Sequence, residues 1–158
     1  MKYNRREFLR KGGTAIACSC LGGLCLSSCS PFSSVSNTAV APEDSFWVED
    51  GQIVLDLGKM AALSTEGGSV KLEFAHPLEG VHTKIILIHP EDTTYLTFAN
   101  ECSHKSRELE YDHPARILRC VSRHSEFDLN GSVLSGNAEK NLKRYATEMD
   151  GNRLFVRI

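Results

Sequence analysis

The chain has 158 residues, of which 24% are charged and 41% hydrophobic, and its formal net charge at pH 7 is −2. This length fits one small domain. Five of the 18 basic residues but one of the 20 acidic residues precede residue 29, so the rest of the chain has a formal charge of −6. Nucleic-acid binding needs clustered Lys and Arg for phosphate contacts, and this acidic chain is therefore a poor candidate for it.

The first residues have the pattern of an export signal. Arg5-Arg6 followed by Phe8-Leu9 precedes a weakly apolar stretch of small residues over 12–26. That stretch is too short and too rich in Gly, Ser and Cys for a membrane span, which needs about 20 apolar residues. The Arg-Arg-x-Phe-Leu core resembles a twin-arginine signal, a route for proteins that fold before export. An ordinary secretory signal with two arginines by chance is the alternative.

A second motif ends this leader. Leu26-Ser27-Ser28-Cys29 resembles a bacterial lipobox, in which Cys29 is lipidated and becomes the first mature residue. A plain signal-peptidase site nearby is the alternative. We therefore expect a signal peptide over 1–28 and a protein on the periplasmic or cell-surface side of a bacterial membrane, anchored there by lipid.

The mature chain is predicted to be a flexible tether over 29–44 and one domain over 45–158. The domain contains short segments rich in Val, Ile, Leu, Thr, Tyr and Phe, separated by turn residues. These segments predict strands at 46–49, 52–57, 70–74, 84–89, 93–99, 116–121, 145–149 and 153–158. Asp150-Gly151-Asn152 predicts a hairpin between the last two, and a short helix is expected around 58–63. The pattern indicates an all-β sandwich or barrel.

Two short segments, Cys102–His104 and Cys120–Asp128, contain the residues that could bind a metal; they are called the two patches. Cys18, Cys20 and Cys25 would be lost with the leader, so Cys102 and Cys120 are the thiols that remain beside the lipidated cysteine. His104 follows the first of these cysteines and His124 follows the second. Two thiolates plus two imidazoles form the ligand set of a Rieske-type [2Fe–2S] centre, in which two His replace two Cys on one iron.

From residue 100 to residue 158 the chain resembles the Rieske family. Cys102-Ser103-His104 matches the family's Cys-x-His, Cys120 follows after fifteen residues, and 125–133 matches Ser-x-Phe-Asp-x-x-Gly-x-Val. The resemblance implies a small Rieske-like sandwich or barrel of short antiparallel strands, with a two-loop cluster-binding subdomain at about 100–138. It also implies a [2Fe–2S] cluster, with Cys102 and Cys120 on one iron, His104 on the other, and Ser125 as a hydroxyl donor to a bridging sulfide.

One position departs from the family. Arg123 stands where the second ligand histidine is expected, and arginine has no lone pair to give to iron. We expect His124 to be the fourth ligand, although a shift of one residue in an extended segment turns a side chain to the other face. A surface position for His124 is the alternative. The remaining histidines, His76, His82, His89 and His113, are interpreted as solvated loop residues, with His113 as the one spare ligand.

The expected function is electron transfer, as a carrier or a subunit of an oxidoreductase rather than as an enzyme on its own, since no nucleophile–base set appears. The expected partner is an oxidoreductase catalytic subunit, a cytochrome or a quinone complex. The alternative is a cluster-free docking or structural module stapled by a Cys102–Cys120 disulfide, which could add about 3 kcal/mol of stability. A mononuclear zinc site with two Cys and two His is a third reading.

Overall fold

Twelve short strands make up about half of the described residues in the computed structural model, which covers residues 35–74, 84–122 and 125–158. The strands are Ala39–Val40 (β1), Phe46–Glu49 (β2), Gln52–Asp56 (β3), Ser69–Glu73 (β4), Lys84–Glu91 (β5), Thr94–Ala99 (β6), Leu109–Asp112 (β7), Ile117–Cys120 (β8), Ser125–Phe127 (β9), Val133–Gly136 (β10), Arg144–Asp150 (β11) and Arg153–Arg157 (β12). The described helical elements are 3₁₀ turns at Glu43–Ser45, Leu57–Lys59 and Ala61–Leu63. No described helix is long and apolar enough to cross a membrane. The all-β prediction is confirmed.

Eight strands form one sheet in the order β1-β4-β5-β6-β11-β12-β3-β2. Its neighbours are antiparallel except for β1 and β4, which run parallel. The sequence predicts antiparallel strands throughout. The sequence does not predict this pair, because β1 lies within residues 29–44, where a flexible tether and no strand is expected.

Strand β5 is buried on both faces. Ile85 and Leu87 pack into one core and Ile86 and Ile88 into a second, because successive side chains of a strand face opposite sides. All four side chains are fully buried. This explains why the sequence has a continuous apolar run here instead of alternation.

The first core shows that the large sheet curls. It contains inward side chains from strands across the whole width of the sheet, including Leu55 of β3, Leu72 of β4 and Val156 of β12. Strands so far apart in the order can share one core only if the sheet wraps around it. The large sheet is thus the barrel-like base of the domain.

The second core joins this base to a small antiparallel sheet in the order β10-β9-β8-β7. Leu109, Leu118 and Phe127 of the small sheet pack with Ile86 and its neighbours on the base, and Cys102 and Cys120 lie in the same core. The small sheet occupies the region in which the cluster-binding subdomain is expected. Both thiols therefore lie where the two sheets meet.

Residues 36–41 lie against the domain, although the sequence predicts a flexible tether over 29–44. Ala41 is buried, and its backbone N–H donates to the Lys71 carbonyl oxygen at 2.9 Å. Ser36 is buried as well, and its N–H and hydroxyl both donate to Glu108 Oε2, at 2.8 and 3.1 Å. The second half of the predicted tether is thus packed. Local sequence could not indicate this, because the contact joins residues 72 positions apart.

The predicted strands match β2–β6, β8, β11 and β12, with ends that differ by at most two residues. The hairpin through Asp150-Gly151-Asn152 is confirmed, since β11 and β12 pair antiparallel on either side of it. The helix expected around 58–63 is instead the pair of 3₁₀ turns. Strands β7, β9 and β10 were not predicted, because they are three or four residues long and mix charged or small side chains with apolar ones.

Candidate metal centre

The first cysteine loop leaves the end of β6 and closes on itself. The Cys102 N–H donates to the Arg107 carbonyl oxygen and the Ser106 N–H donates to the Cys102 carbonyl oxygen, both at 2.8 Å. Just before the loop, the Asn100 side chain accepts from the Leu109 N–H at 2.7 Å and so joins the end of β6 to the start of β7. Backbone hydrogen bonds therefore fix the position of the first thiol.

The second cysteine ends β8, directly opposite β7. Cys120 pairs with Leu109 in the antiparallel ladder, and the next residue, Val121, donates its N–H to the Glu108 carbonyl oxygen at 3.0 Å. The Cys120 Sγ lies 3.0 Å from the Ser122 Oγ. The two cysteine loops are thus held together through residues 108–109.

The two thiols are neighbours in the interior. Cys102 and Cys120 are both buried and both are free cysteines. Burial raises the pKa of the Cys102 thiol above its ordinary value, and the adjacent Cys120 raises it further. The backbone of His104 and the hydroxyl of Ser125 act in the opposite direction. Such a pair of thiols would release protons on binding a metal, whose positive charge stabilises thiolates.

The hydroxyl of Ser125 points to a missing acceptor. Ser125 begins β9 and is 1% exposed, and within the described residues its Oγ has no hydrogen-bond partner of normal geometry, although it is close enough to Cys102 to lower that thiol's pKa. Buried hydroxyls are normally satisfied. An inorganic sulfide bound beside the two thiols would accept this hydrogen bond. The residues present therefore fit a [2Fe–2S] cluster on its cysteine side.

His104 is half-buried in the turn that follows Cys102. Its neighbour Ser103 ties this turn to a second loop: the Ser103 Oγ donates to the Lys140 carbonyl oxygen at 3.1 Å and accepts from the backbone N–H groups of Glu139 and Lys140 at 3.2 Å. No motif in the sequence indicates a role for Ser103. Its role follows from a contact between residues 37 positions apart.

The other predicted functional residues lie outside the described part of the chain. Arg123 and His124 fall between residues 122 and 125, and Arg5, Arg6 and Cys29 precede residue 35. Within the described residues, no group of three or more His, Cys, Asp or Glu side chains is arranged to hold a metal ion. The structure thus brings together Cys102, Cys120 and Ser125, with His104 in the adjoining turn, and leaves the fourth ligand a prediction.

His113 does not fit as a spare ligand. His113 lies in the turn that joins β7 to β8. Ile117, at the turn end of β8, is three residues or about 10 Å along the strand from Cys120. Its Nδ1 is 3.1 Å from the Tyr111 Oη, and its ring covers Gly67 so closely that a Cβ there would lie 2.9 Å from the ring. The prediction of His113 as a reserve ligand is wrong, because the hairpin carries it away from the thiols.

His89 is a structural residue. It is 6% exposed, its Nδ1 lies 2.9 Å from the Leu63 carbonyl oxygen, and its Nε2 lies 2.5 Å from that of Asp92. The ring also stacks on Tyr95 with centroids 4.5 Å apart. The interpretation of His89 as a solvated loop residue is wrong, because β5 continues past it to residue 91. His76 and His82 lie outside the described residues.

Glu108 places a buried negative charge between the cysteine loops, a feature the sequence reading missed. Its side chain is 3% exposed and accepts from Lys71 Nζ at 3.0 Å, from Lys84 Nζ at 2.5 Å and from Ser36. Burial alone raises the pKa of Glu108, but the hydrogen bonds from Lys84, Ser36 and Lys71 outweigh burial and lower the pKa to about 2. Glu108 is therefore ionised and joins the base, the N-terminal segment and the small sheet.

Ser122 also lies at the site, although no sequence motif indicates a role for it. In the structure the Ser122 side chain is nearly buried and its hydroxyl contacts the Cys120 sulfur. Hydrogen bonds to ligand sulfur tune a metal centre, so this serine is part of the site.

Comparison with known proteins identifies the family. The model of the Rieske [2Fe-2S] domain matches residues 63–146, which is more than half of the chain. Among solved structures, the chain is similar to the ferredoxin of carbazole 1,9a-dioxygenase from Nocardioides aromaticivorans IC177, with a TM-score of 0.51 and 16% identity over 66% of this chain and 93% of that one. It is also similar to the plasma membrane Rieske protein PetC3 from Synechocystis PCC 6803, with a TM-score of 0.43 and 23% identity over 48% of this chain and 77% of that one.

No curated protein sequence matches the chain. At these identities the solved structures show the fold alone. The family model adds the cofactor class, a Rieske-type [2Fe–2S] cluster, and it covers both cysteine loops and the strands that hold them. The chain belongs to the Rieske [2Fe-2S] domain family.

Proposed function

We propose that this domain is a one-electron carrier in which Cys102 and Cys120 hold one iron of a [2Fe–2S] cluster and His104 and His124 hold the other. The observation that carries the proposal is the buried pair of free thiols beside the unsatisfied hydroxyl of Ser125. When bound, the cluster supplies reversible exchange of one electron.

The residues around the thiols have distinct tasks. Leu109, Leu118 and Phe127 are fully buried and pack with the cysteines, so they exclude water from the cysteine side. The Ser125 hydroxyl would donate to a cluster sulfur, which would stabilise added negative charge there and raise the reduction potential. His104, half-buried in the adjoining turn, gives an electron a short path to the surface. The partner would be an oxidoreductase catalytic subunit, a cytochrome or a quinone complex.

Cluster content tests this proposal directly. Protein purified from a host that makes iron–sulfur clusters should be brown, with two irons and two acid-labile sulfides per chain. Cys120→Ser and His104→Ala should each lose most of the iron, because each removes one ligand. His113→Ala is the matched control, since it removes a partly buried loop imidazole at the far end of the β7–β8 hairpin, and it should keep its iron.

The other readings give different results in the same measurement. Colourless parent protein without reactive thiols would support the Cys102–Cys120 disulfide and a docking or structural role. One equivalent of zinc would support a mononuclear site. Full iron content in Cys120→Ser would contradict the assigned ligands.

Export and anchoring form a separate part of the proposal. We propose that Arg5-Arg6 directs folded protein to the twin-arginine route and that Cys29 carries lipid on the periplasmic or cell-surface side. Replacing Arg5 and Arg6 by Lys should leave precursor in the cytoplasm, as seen by cell fractionation. Cys29→Ser should release the exported domain from the membrane. Normal export of the first variant, or lipid labelling of the second, would contradict the corresponding signal.

A further inference from the structure

One end of the domain concentrates basic side chains. Lys105 and Arg107 lie in the first cysteine loop, and Lys140, Lys143 and Arg144 lie on the segment that covers this loop; these five residues are named the basic face. All are exposed except Arg107, which is partly buried. Acidic residues outnumber basic ones in the chain as a whole, 20 to 18. A basic end on an acidic domain is therefore a local feature of the surface.

Most basic side chains elsewhere are paired with carboxylates. The paired residues are Lys59, Lys71, Lys84, Arg116, Arg119 and Arg157. Among the ion pairs within 35–74, 84–122 and 125–158, none involves Lys105, Arg107, Lys140 or Arg144. Charge that is not neutralised within the molecule creates a field that attracts a complementary surface.

Two residues of the basic face, Lys140 and Lys143, line a recess beside the first cysteine loop. The recess has a volume of about 370 Å³, and its walls also include Ser103 and two carboxylates, Glu101 and Glu139. The five cations of the basic face outnumber these two carboxylates. Ser103 bonds to the backbone of residues 139–140, and the Ala99 N–H donates to the Lys143 carbonyl oxygen at 2.9 Å. Because the Ser103 hydroxyl and a backbone hydrogen bond fix the walls of the recess, the recess is organised before any partner binds.

We propose that the basic face docks a redox partner protein that presents an acidic surface. The inference rests on the proposed electron-transfer function, since the face adjoins the loop that contains Cys102 and His104. Charge complementarity at this place would speed encounter and orient the partner toward the half-buried imidazole. An anionic membrane fits less well. Among the exposed large hydrophobic side chains of the described residues, Leu134 alone is within two residues of a contact with the segment that covers the first cysteine loop, since the Val133 N–H donates to Asn141 Oδ1. One such side chain offers little apolar surface, whereas interfacial binding buries an apolar face.

The variants follow from the position of each charge. Lys140→Glu with Arg144→Glu reverses two charges of the basic face and leaves both cysteine loops intact. Lys59→Glu with Arg153→Glu makes the same charge change at the other end of the domain. Arg153 is the strand partner of Asp150 in the β11–β12 ladder. Asp150 is six residues, or about 20 Å, along β11 from Arg144. Lys59 ends the 3₁₀ turn whose first residue bonds to Asn152.

The first measurement needs no cluster. Calorimetric titration of the full chain in its Cys29→Ser form with poly-L-glutamate at low salt should show binding that is lost in 1 M salt, where the Debye length is about 3 Å. The Lys140→Glu/Arg144→Glu variant should bind about tenfold more weakly, and the Lys59→Glu/Arg153→Glu variant should bind like the parent. Equal weakening in both variants would overturn the proposal. So would binding to vesicles of phosphatidylglycerol and phosphatidylcholine without binding to poly-L-glutamate.

The second measurement uses the loaded protein. Dithionite-reduced protein passes one electron to ferricyanide, which becomes ferrocyanide, or to a cationic cobalt(III) hexaammine. Reversing the two charges of the basic face should slow oxidation by the anion about tenfold at low salt and speed oxidation by the cation. The control pair should change neither rate. Reduction potentials of all variants are measured in parallel to separate encounter from driving force.

The two proposals fail in different ways. A parent that never holds iron contradicts the proposed function, whereas the poly-L-glutamate titration still decides the docking face. A parent with a full cluster whose oxidation by either complex does not respond to Lys140→Glu/Arg144→Glu contradicts the docking face alone.

Discussion

Replacing Glu108 by Gln should lower the free energy of unfolding by about 3 to 5 kcal/mol at pH 7, the range found when one partner of a buried ion pair is removed. Glu108 is 2% exposed and Lys71 is 4% exposed. Without the carboxylate, the contacts left to the buried Lys71 ammonium among the described residues are Glu73, at 3.6 Å and near the surface, and the Ser36 carbonyl oxygen at 3.5 Å. Ser36 also loses the acceptor of two hydrogen bonds.

The same pair predicts a pH dependence with a definite sign. The folded pKa of Glu108 is about 2, below its ordinary value of 4.5. A carboxyl whose pKa is lowered on folding stabilises the protein fully above the unfolded pKa, and this contribution is lost as pH falls through the folded pKa. The difference corresponds to about 3 kcal/mol. The stability gap between parent and Glu108→Gln should therefore close between pH 4.5 and pH 2.

Urea unfolding at several pH values measures both effects. Glu73→Gln is the matched control, because it removes a more exposed carboxylate that also contacts Lys71, and it should cost less than about 1 kcal/mol. Equal decreases in the free energy of unfolding for Glu108→Gln and Glu73→Gln at pH 7 would show that the buried ion pair stabilises the fold no more than the exposed one does. A gap that widens toward pH 2 would contradict the lowered pKa.

His124→Ala should remove most of the iron, whereas Arg123→Ala should retain it. The second iron of a Rieske centre needs a neutral nitrogen donor beside His104. Arginine stays protonated and cannot supply one, and His124 is the adjacent residue. Iron and acid-labile sulfide, measured per chain after identical purification, give the comparison. Full cluster content in His124→Ala would remove this residue from the ligand set.

A double variant tests the same assignment from the other side. Arg123→His with His124→Gly restores the family's own order of residues in the second patch. We expect this variant to hold the cluster at least as firmly as the parent, with the electron paramagnetic resonance spectrum of a Rieske centre. Because His113 lies at the far end of its hairpin, His113→Ala made in the His124→Ala background should cause no additional loss of iron.

The sequence predicts those parts of the fold that depend on local pattern. The apolar residues over 84–89 indicate a strand, and the Cys-x-His motif follows the strand predicted at 93–99. The pairing of Ser36 with Glu108 could not be predicted, since it joins two polar residues far apart in the chain. Strand β7 escaped prediction because its Glu110 and Asp112 obscure the apolar pattern.

The candidate site also has residues that the sequence indicates and residues that it does not. Motif spacing correctly indicates that Cys102 and Cys120 meet, because each cysteine belongs to a patch with a recognisable pattern. The supporting hydroxyls of Ser103 and Ser122 carry no such pattern. Their partners are the backbone of residues 139–140 and the sulfur of Cys120. Only the three-dimensional arrangement shows that these common serines brace the cysteine loops.

If Cys29 carries the proposed lipid, the packed N-terminal segment would limit how far the domain can move from the membrane. A free chain from Cys29 to residue 45 could span about 55 Å. Because Ser36 is bonded to Glu108, the tether from Cys29 is seven residues long and spans at most about 24 Å. With the proposed lipid on Cys29, the space that the domain can explore shrinks about tenfold, and its effective concentration near a membrane-bound partner rises accordingly. Glu108→Gln would free this segment, and so would lengthen the tether as well as lower the stability of the fold.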